Sequence, residues 1–266
     1  MTILITGSRG KTASELAAFL SPTRPILIAS RNPPANAFHP TVRFDWTDPT
    51  TYANPFDNAV SQASPIRAVY LVAPDAANAS ELVMQFVNVA LAKGVKRFVL
   101  LSAWTEEKGE GVFGKAHAGL EDLEKRRGIE WAVVRPHFFM ENFIESWHLR
   151  TTKEQVVSRA LVDEVPHNTE HYLTGSESLS YDEVASIISE VIGKKIEHVK
   201  LNFSDYEAFL VSHGLDSWVA NLLAGVDVQV AGGFRAETTN VVRKVTGEAP
   251  KTFKRFALEN KSVWLS

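Results

Sequence analysis

The clearest chemistry lies at the amino end. An apolar, β-branched run, residues 1–6, leads into Gly7-Ser8-Arg9-Gly10-Lys11-Thr12-Ala13 and then into a helical stretch, residues 14–20. Strand, glycine turn and helix in that order present backbone N–H groups at the positive end of a helix, a cradle for a pyrophosphate. Gly7 permits the tight turn, Gly10 lets the backbone approach the phosphates, and Ala13 lets the helix pack on the sheet. The plain alternative is an ordinary β-turn-α connection. Strand two ends Ala29-Ser30-Arg31, without the carboxylate that would hold an unphosphorylated ribose. A guanidinium and a hydroxyl suit a 2′-phosphate, with Arg9 as a second positive group, so the expected cofactor is NADP(H). Otherwise Arg31 is only a solvated surface arginine. Asp45-Trp46 closes strand three, where an adenine would lie. Asp45 either accepts a hydrogen bond from the exocyclic amine or caps the turn through Thr47 and Asp48.

Three further strand ends complete the expected cofactor site. They are Val72-Ala73-Pro74 at the height of the nicotinamide ribose, Ser102-Ala103, and Pro136-His137-Phe138. Acid–base candidates follow strand five: Glu106, with Glu107 beside it, then Lys115 and His117. Lys115 could hold the ribose hydroxyls, and His117, with an ordinary pKa of about 6.5, could donate a proton. Each has a bland alternative as a solvated glutamate, a surface lysine or a helix-start histidine. No tyrosine occurs between residues 103 and 127, so a Tyr-x-x-x-Lys pair is missing there. Trp104, Phe113, Phe139, Met140 and Trp147, with Phe138 and Asn142, are candidates for an apolar, π-rich substrate pocket that would also attract a cation. Some of them would instead fill the core. No metal site is expected.

These residues need strands and helices to position them. Strands are predicted at 1–6, 26–30, 42–45, 68–73, 96–102 and 130–135, and helices at 14–20, 56–63, 78–93 and 117–127. The βα rhythm predicts a Rossmann-like, doubly wound parallel sheet with ligand at the carboxyl ends of its strands. From residue 144 the character changes. A short strand at 171–174 stands among helices at 153–161, 180–192, 204–213, 217–224, 240–247 and 252–259. The expected division is a dinucleotide-binding domain, 1–143, and a smaller helical substrate lobe, 144–266, packed on it with some chain interchange.

Bulk properties narrow the class. The chain has 266 residues, 45% hydrophobic and 22% charged, an ordinary globular balance. A net charge of -3 supplies no electrostatic footprint for nucleic acid or an anionic membrane. With no cysteine, disulfides and thiolate chemistry are excluded. No apolar run reaches membrane-spanning length. Met1 leads directly into a strand, so no targeting peptide is expected and a cytoplasmic location is.

Taken together, the stretches 3–13, 29–31, 44–46, 70–74, 92–103, 134–136, 139–143 and 252–264 resemble the NmrA-like branch of atypical short-chain dehydrogenases. The nearest likeness is to the fungal ergot-alkaloid reductases of the agroclavine and festuclavine dehydrogenase type. The resemblance covers nearly the whole chain. It implies an NADP(H)-binding Rossmann fold, a catalytic serine position at Ser102 and a small hydrophobic, alkaloid-like substrate. Members without the tyrosine reduce activated C=N or C=C bonds or act as redox sensors, and some similar fungal proteins act as pericyclases. Three readings follow: an NADPH-dependent iminium or enone-type reductase, an NADP(H)-binding pericyclase with Glu106 orienting the intermediate, and a non-catalytic NADP sensor. One departure stands out. Relatives insert a glycine-containing strand and loop after the Met-Glu-Asn-Phe motif, whereas here 143–150 runs almost directly into 151–157.

Overall fold

The computed structural model describes residues 1–8, 10–137, 140–143 and 153–265. In chain order the first elements are β1 (Thr2–Ile5), α1 (Lys11–Leu20), β2 (Ile26–Ser30), β3 (Thr41–Arg43), α2 (Asn54–Asp57) and α3 (Ala59–Ala63). Next come β4 (Ile66–Val72), α4 (Ala79–Ala92), β5 (Arg97–Leu101), α5 (Gly114–Arg127), β6 (Glu130–Pro136), α6 (Lys153–Val162) and β7 (Thr169–Leu173). The last helices are α7 (Tyr181–Ile192), α8 (Phe203–Ser212), α9 (Ser217–Ala231), α10 (Val241–Thr246) and α11 (Phe253–Glu259). No helix among the described residues is long and apolar enough to cross a membrane.

All seven strands form one parallel sheet in the order β3-β2-β1-β4-β5-β6-β7. This is the doubly wound α/β fold expected. The order reverses between β1 and β4, and the crevice outside their carboxyl ends is where such sheets bind ligands. Central parallel strands are covered on both faces, which is why β1 is buried along its whole length. On one face Phe44, Trp46, Phe86, Leu120 and Trp131 join a continuous apolar layer with α4 and α5. On the other, Leu16, Val156 and Val242 bring α1, α6 and α10 against Ile3, Val99 and Val134.

The chain forms two compact units. The first holds the described residues up to Asn142, those from 153 to Thr174, and Val241–Ala249. Hence α6 and β7, expected in the smaller lobe, belong to the sheet unit. β7 pairs with β6, His171 opposite Val134, and α6 packs on α1. The physical reason is the apolar stripe Val156, Val157, Ala160 and Leu161, which needs a sheet face to cover it. Arg97 reinforces this, its Nη1 donating to the Leu161 and Asp163 carbonyls at 3.1 and 2.6 Å.

The second unit is helical. Ser180 and Glu183 form a reciprocal capping box at the start of α7, which stops at Gly193. Phe253 packs on Phe143 and Phe256, and Trp264 Nε1 donates to the Phe143 carbonyl at 2.9 Å.

Three boundaries differ from expectation. The helix predicted at 56–63 breaks at Asn58, whose side chain accepts the Val60 N–H and starts a new helix. α9 continues to Ala231, because Val226, Val228 and Val230 adopt helix despite their β-branching. α5 begins three residues early, at Gly114, where a Cβ would come within 1.8 Å of the Glu107 carbonyl oxygen.

Candidate active site

The turn after β1 is built around Gly7. Its φ of +76° lies in the left-handed region, and an added Cβ would meet the Val72 Cβ at 2.7 Å. Only glycine satisfies both conditions. Gly10 N–H closes the turn on the Gly7 carbonyl at 2.7 Å, and the Gly10 carbonyl accepts from Ala13 and Ser14. That leaves the amides of Lys11 and Thr12 as first-turn donors, and no side chain caps α1 and no acid stands in its first turn. An anion is the complement of such an end.

The turn rests on buried polar scaffolding. Thr6 Oγ1 donates to the Tyr70 and Val72 carbonyls at 3.0 and 3.3 Å and accepts the Val72 N–H at 2.7 Å. Tyr70, wholly buried, bonds with the Thr12 side chain. Burial pushes its phenol well above the usual range, and Glu154 adds to the rise. Ala13 is buried against the sheet and Ser8 is half-exposed. Arg9 and the side chain of Lys11 lie outside the described residues.

At the end of β2, Ser30 is buried and Arg31 exposed, and the strand ends without a carboxylate of its own; the nearest acid is Asp45, after β3. Asp45 Oδ1 accepts from both the Thr47 N–H and the Thr47 hydroxyl at 2.9 Å. The Thr47 N–H is the main cause holding its carboxyl below the usual range, and the Arg31 and Arg43 charges contribute. Asp45 therefore does make the local turn. Its remaining lone pairs stay available to another donor. The expected partner, Trp46, is a core residue. Its ring meets Phe44 edge-on at 4.9 Å and Phe86 at 5.6 Å, so its indole is no adenine shelf. Val72, Ala73 and Pro74 are half-buried beside Gly7.

After β5 the chain makes a braced loop. Ser102 is buried, and its N–H bonds to the Val134 carbonyl at 2.9 Å. Glu106 turns its carboxylate inward, accepting the Phe113 N–H at 3.2 Å against Gly111. Its position is that of a loop brace. Ser80 Oγ donates to the Val112 carbonyl and accepts from the Ala116 N–H, fastening the far side to α4. Trp104 is buried and stacks on His137, centroids 4.4 Å apart and planes 18° apart. Pro136 is buried at the end of β6, while Met140 and Phe113 are half-buried. Phe138, Phe139, Trp147 and the junction at 144–152 lie outside the described residues, as does the side chain of Asn142. Lys115 is exposed on α5.

His117 occupies a different setting from the one expected. It is 3% exposed, tilted against Trp131, with Nδ1 3.9 Å from Glu170 Oε2. Burial lowers its pKa, and the Arg135 charge adds to that, with Glu170 opposing. The lowered pKa favours the neutral imidazole over an imidazolium donor. Phe113, the residue before α5, and His117 within it have the i, i+4 spacing of the absent Tyr-x-x-x-Lys pair, and the His117 N–H donates to the Phe113 carbonyl at 3.1 Å.

A polar cluster that sequence reading did not single out surrounds His117. Arg135, 1% exposed, donates from Nε to the Ala103 carbonyl at 3.2 Å and from Nη1 to Glu170 Oε2 at 2.6 Å and to the Tyr172 hydroxyl. Its guanidinium also lies 4.3 Å from the Tyr172 ring centroid. The available signal was a charged residue inside the apolar strand Trp131-Ala-Val-Val-Arg135, since buried arginines are rare unless paired. Among the described residues no group of three or more His, Asp or Glu side chains could hold a metal ion.

A parallel, doubly wound sheet with a glycine turn at its reversal point defines a Rossmann-type α/β protein. No protein-family model matches the chain. It is 36% identical to agroclavine dehydrogenase of Claviceps fusiformis, across 100% of this chain and 99% of that protein. It is also 36% identical to festuclavine synthase I of Penicillium roqueforti, across 100% of each. The chain belongs to the agroclavine and festuclavine dehydrogenase family of oxidoreductases. Among solved structures, a Citrobacter triphenylmethane reductase in complex with NADP(H) superposes with a TM-score of 0.79. That match has 18% identity and spans 98% of this chain and 100% of the reductase.

Proposed function

We propose that this protein uses NADPH to reduce an activated C=N (iminium) or conjugated C=C bond in a bulky, hydrophobic indole-alkaloid metabolite. The observation that carries the reading is the uncapped amino end of α1 behind Gly7, together with a strand β2 that ends Ser30-Arg31 without a carboxylate. The residues present fit a phosphorylated dinucleotide. Gly7, Gly10 and the Lys11 and Thr12 amides would hold its pyrophosphate, and Ser30 and Arg31 its 2′-phosphate. The names of the relatives supply the substrate class, and the NADP(H) of the Citrobacter reductase supports the cofactor.

NADPH, when bound, supplies a hydride for an electron-poor carbon. The chain's part is to bind, orient and exclude water. An iminium carbon already carries positive charge, so its reduction needs no proton donor. That fits residues 103–127 without a tyrosine and a buried, neutral His117. Aromatic groups such as Phe113 would favour a cationic, flat substrate.

The test is calorimetric titration with NADPH and NADH, followed by nicotinamide absorbance in the presence of NADP⁺ and agroclavine or festuclavine. Preferential NADPH binding and substrate-dependent absorbance change are expected. Absence of NADP(H) binding would overturn the reading.

A further inference from the structure

The Arg135 cluster is an expensive arrangement with no evident return in stability. A guanidinium at 1% exposure loses its hydration, and Nη2 is buried with no hydrogen-bond partner among the described residues. Glu170 neutralises the charge, but a buried ion pair of this kind is commonly no more stable than apolar side chains of equal volume. Stability alone therefore does not account for an arginine here.

Its contacts show what it does hold. Nε meets the Ala103 carbonyl, the first such group after buried Ser102, and the Glu106 N–H donates to the same oxygen at 3.2 Å. That carbonyl is the hinge post of the loop that Glu106 closes on Phe113 and that Gly109 closes on Gly114 at 2.8 Å. Glu170 and Tyr172, both on β7, prevent the guanidinium from turning away. The clamp thus ties the carboxyl ends of β5 and β6, the edge where open α/β sheets carry their ligands, to β7.

We propose that Arg135 is a positioning residue, fixing the Ala103 carbonyl and through it the segment 102–113 at the hydride-transfer site, with Glu170 and Tyr172 as its supports. The inference rests on the reductase reading above. Arg135 touches neither cofactor nor substrate in this role. It sets the backbone from which Ser102, Trp104 and Phe113 project.

The experiment compares unaltered protein with R135M, R135K and Y172F by thermal midpoint, NADPH fluorescence titration, turnover with NADP⁺ and agroclavine, and amide exchange. R135M leaves Glu170 without its cation and is expected to melt below unaltered protein, while binding NADPH within about threefold. Its kcat should fall on the order of 100-fold, the effect of an ångström-scale misplacement. Amides of residues 103–113 should exchange at least about tenfold faster while those of β1 and β4 do not change. R135K, which keeps charge but not the fork, should recover only part of kcat. Unchanged kcat and loop exchange in R135M would overturn the proposal, as would exchange rising equally throughout the sheet. If R135M does not fold, Y172F carries the test: faster exchange confined to 103–113 supports it and unchanged exchange overturns it. Failure of unaltered protein to bind NADPH would instead sink the reductase reading, and the exchange comparison separates the two failures.

Discussion

Replacing Gly7 by alanine tests the phosphate turn without any ligand. Two separable penalties follow from its geometry. A non-glycine residue held at φ +76° costs about 1–2 kcal/mol. A methyl placed 2.7 Å from the Val72 Cβ and 2.8 Å from its Cγ1 forces a shift in packed strand β4, roughly another 1–3 kcal/mol. A total of about 3 kcal/mol would lower the thermal midpoint by roughly 6–12 °C for a chain of this size. The assay is calorimetric unfolding of G7A, V72A and the G7A/V72A double variant. Trimming Val72 to alanine removes the Cγ1 and Cγ2 contacts but keeps the Cβ, so it should recover part of the packing share and leave the dihedral share, and the two substitutions should be non-additive. A midpoint for G7A within a degree or so of unaltered protein would refute the reasoning. Strict additivity in the double variant would refute the contact with Val72.

Other outcomes follow from the same structure. R31A should weaken NADPH about 10- to 100-fold and NADH little, measured by titration calorimetry, since only the phosphorylated ribose offers the guanidinium a charge-assisted partner. E106Q keeps an acceptor for the Phe113 N–H, so near-normal kcat is expected, and a fall beyond about 100-fold would assign Glu106 a chemical role instead. His171 is buried beside His167, its ring nitrogen 2.8 Å from His167 Nδ1, and burial lowers its pKa to about 4. Its folded pKa lies below the unfolded value, so its contribution is present above pH ~6.5 and is lost as pH falls towards 4. H171Q should flatten the decline in unfolding free energy across that window, as read from denaturant melts at several pH values. S180A removes the hydroxyl that accepts the Glu183 N–H and should cost about 1 kcal/mol in the same melts.

Local pattern was enough for the sheet and the glycine turn after β1. The apolar runs at 26–30, 68–73 and 96–102 read as buried strands because a parallel sheet covers both their faces, and the structure forms strands at 26–30, 66–72 and 97–101. Gly7 and Gly10 were legible because a glycine requirement is a backbone property of a few adjacent residues. That strand two ends at Arg31 without a carboxylate was visible for the same reason. Trp46 and His117 could not be read this way. Whether an indole lies in a cleft or a core depends on Phe44 and Phe86, and whether an imidazole carries a proton depends on Arg135 and Glu170. The His117–Arg135–Glu170–Tyr172 cluster draws on α5, β6 and β7, and residues up to 55 positions apart in sequence meet only once β7 has joined the sheet. Chain order thus determined which residues have backbone freedom and apolar periodicity. Only the tertiary structure decided which polar groups lose their water together, because desolvation and charge pairing arise between elements that the sequence keeps apart.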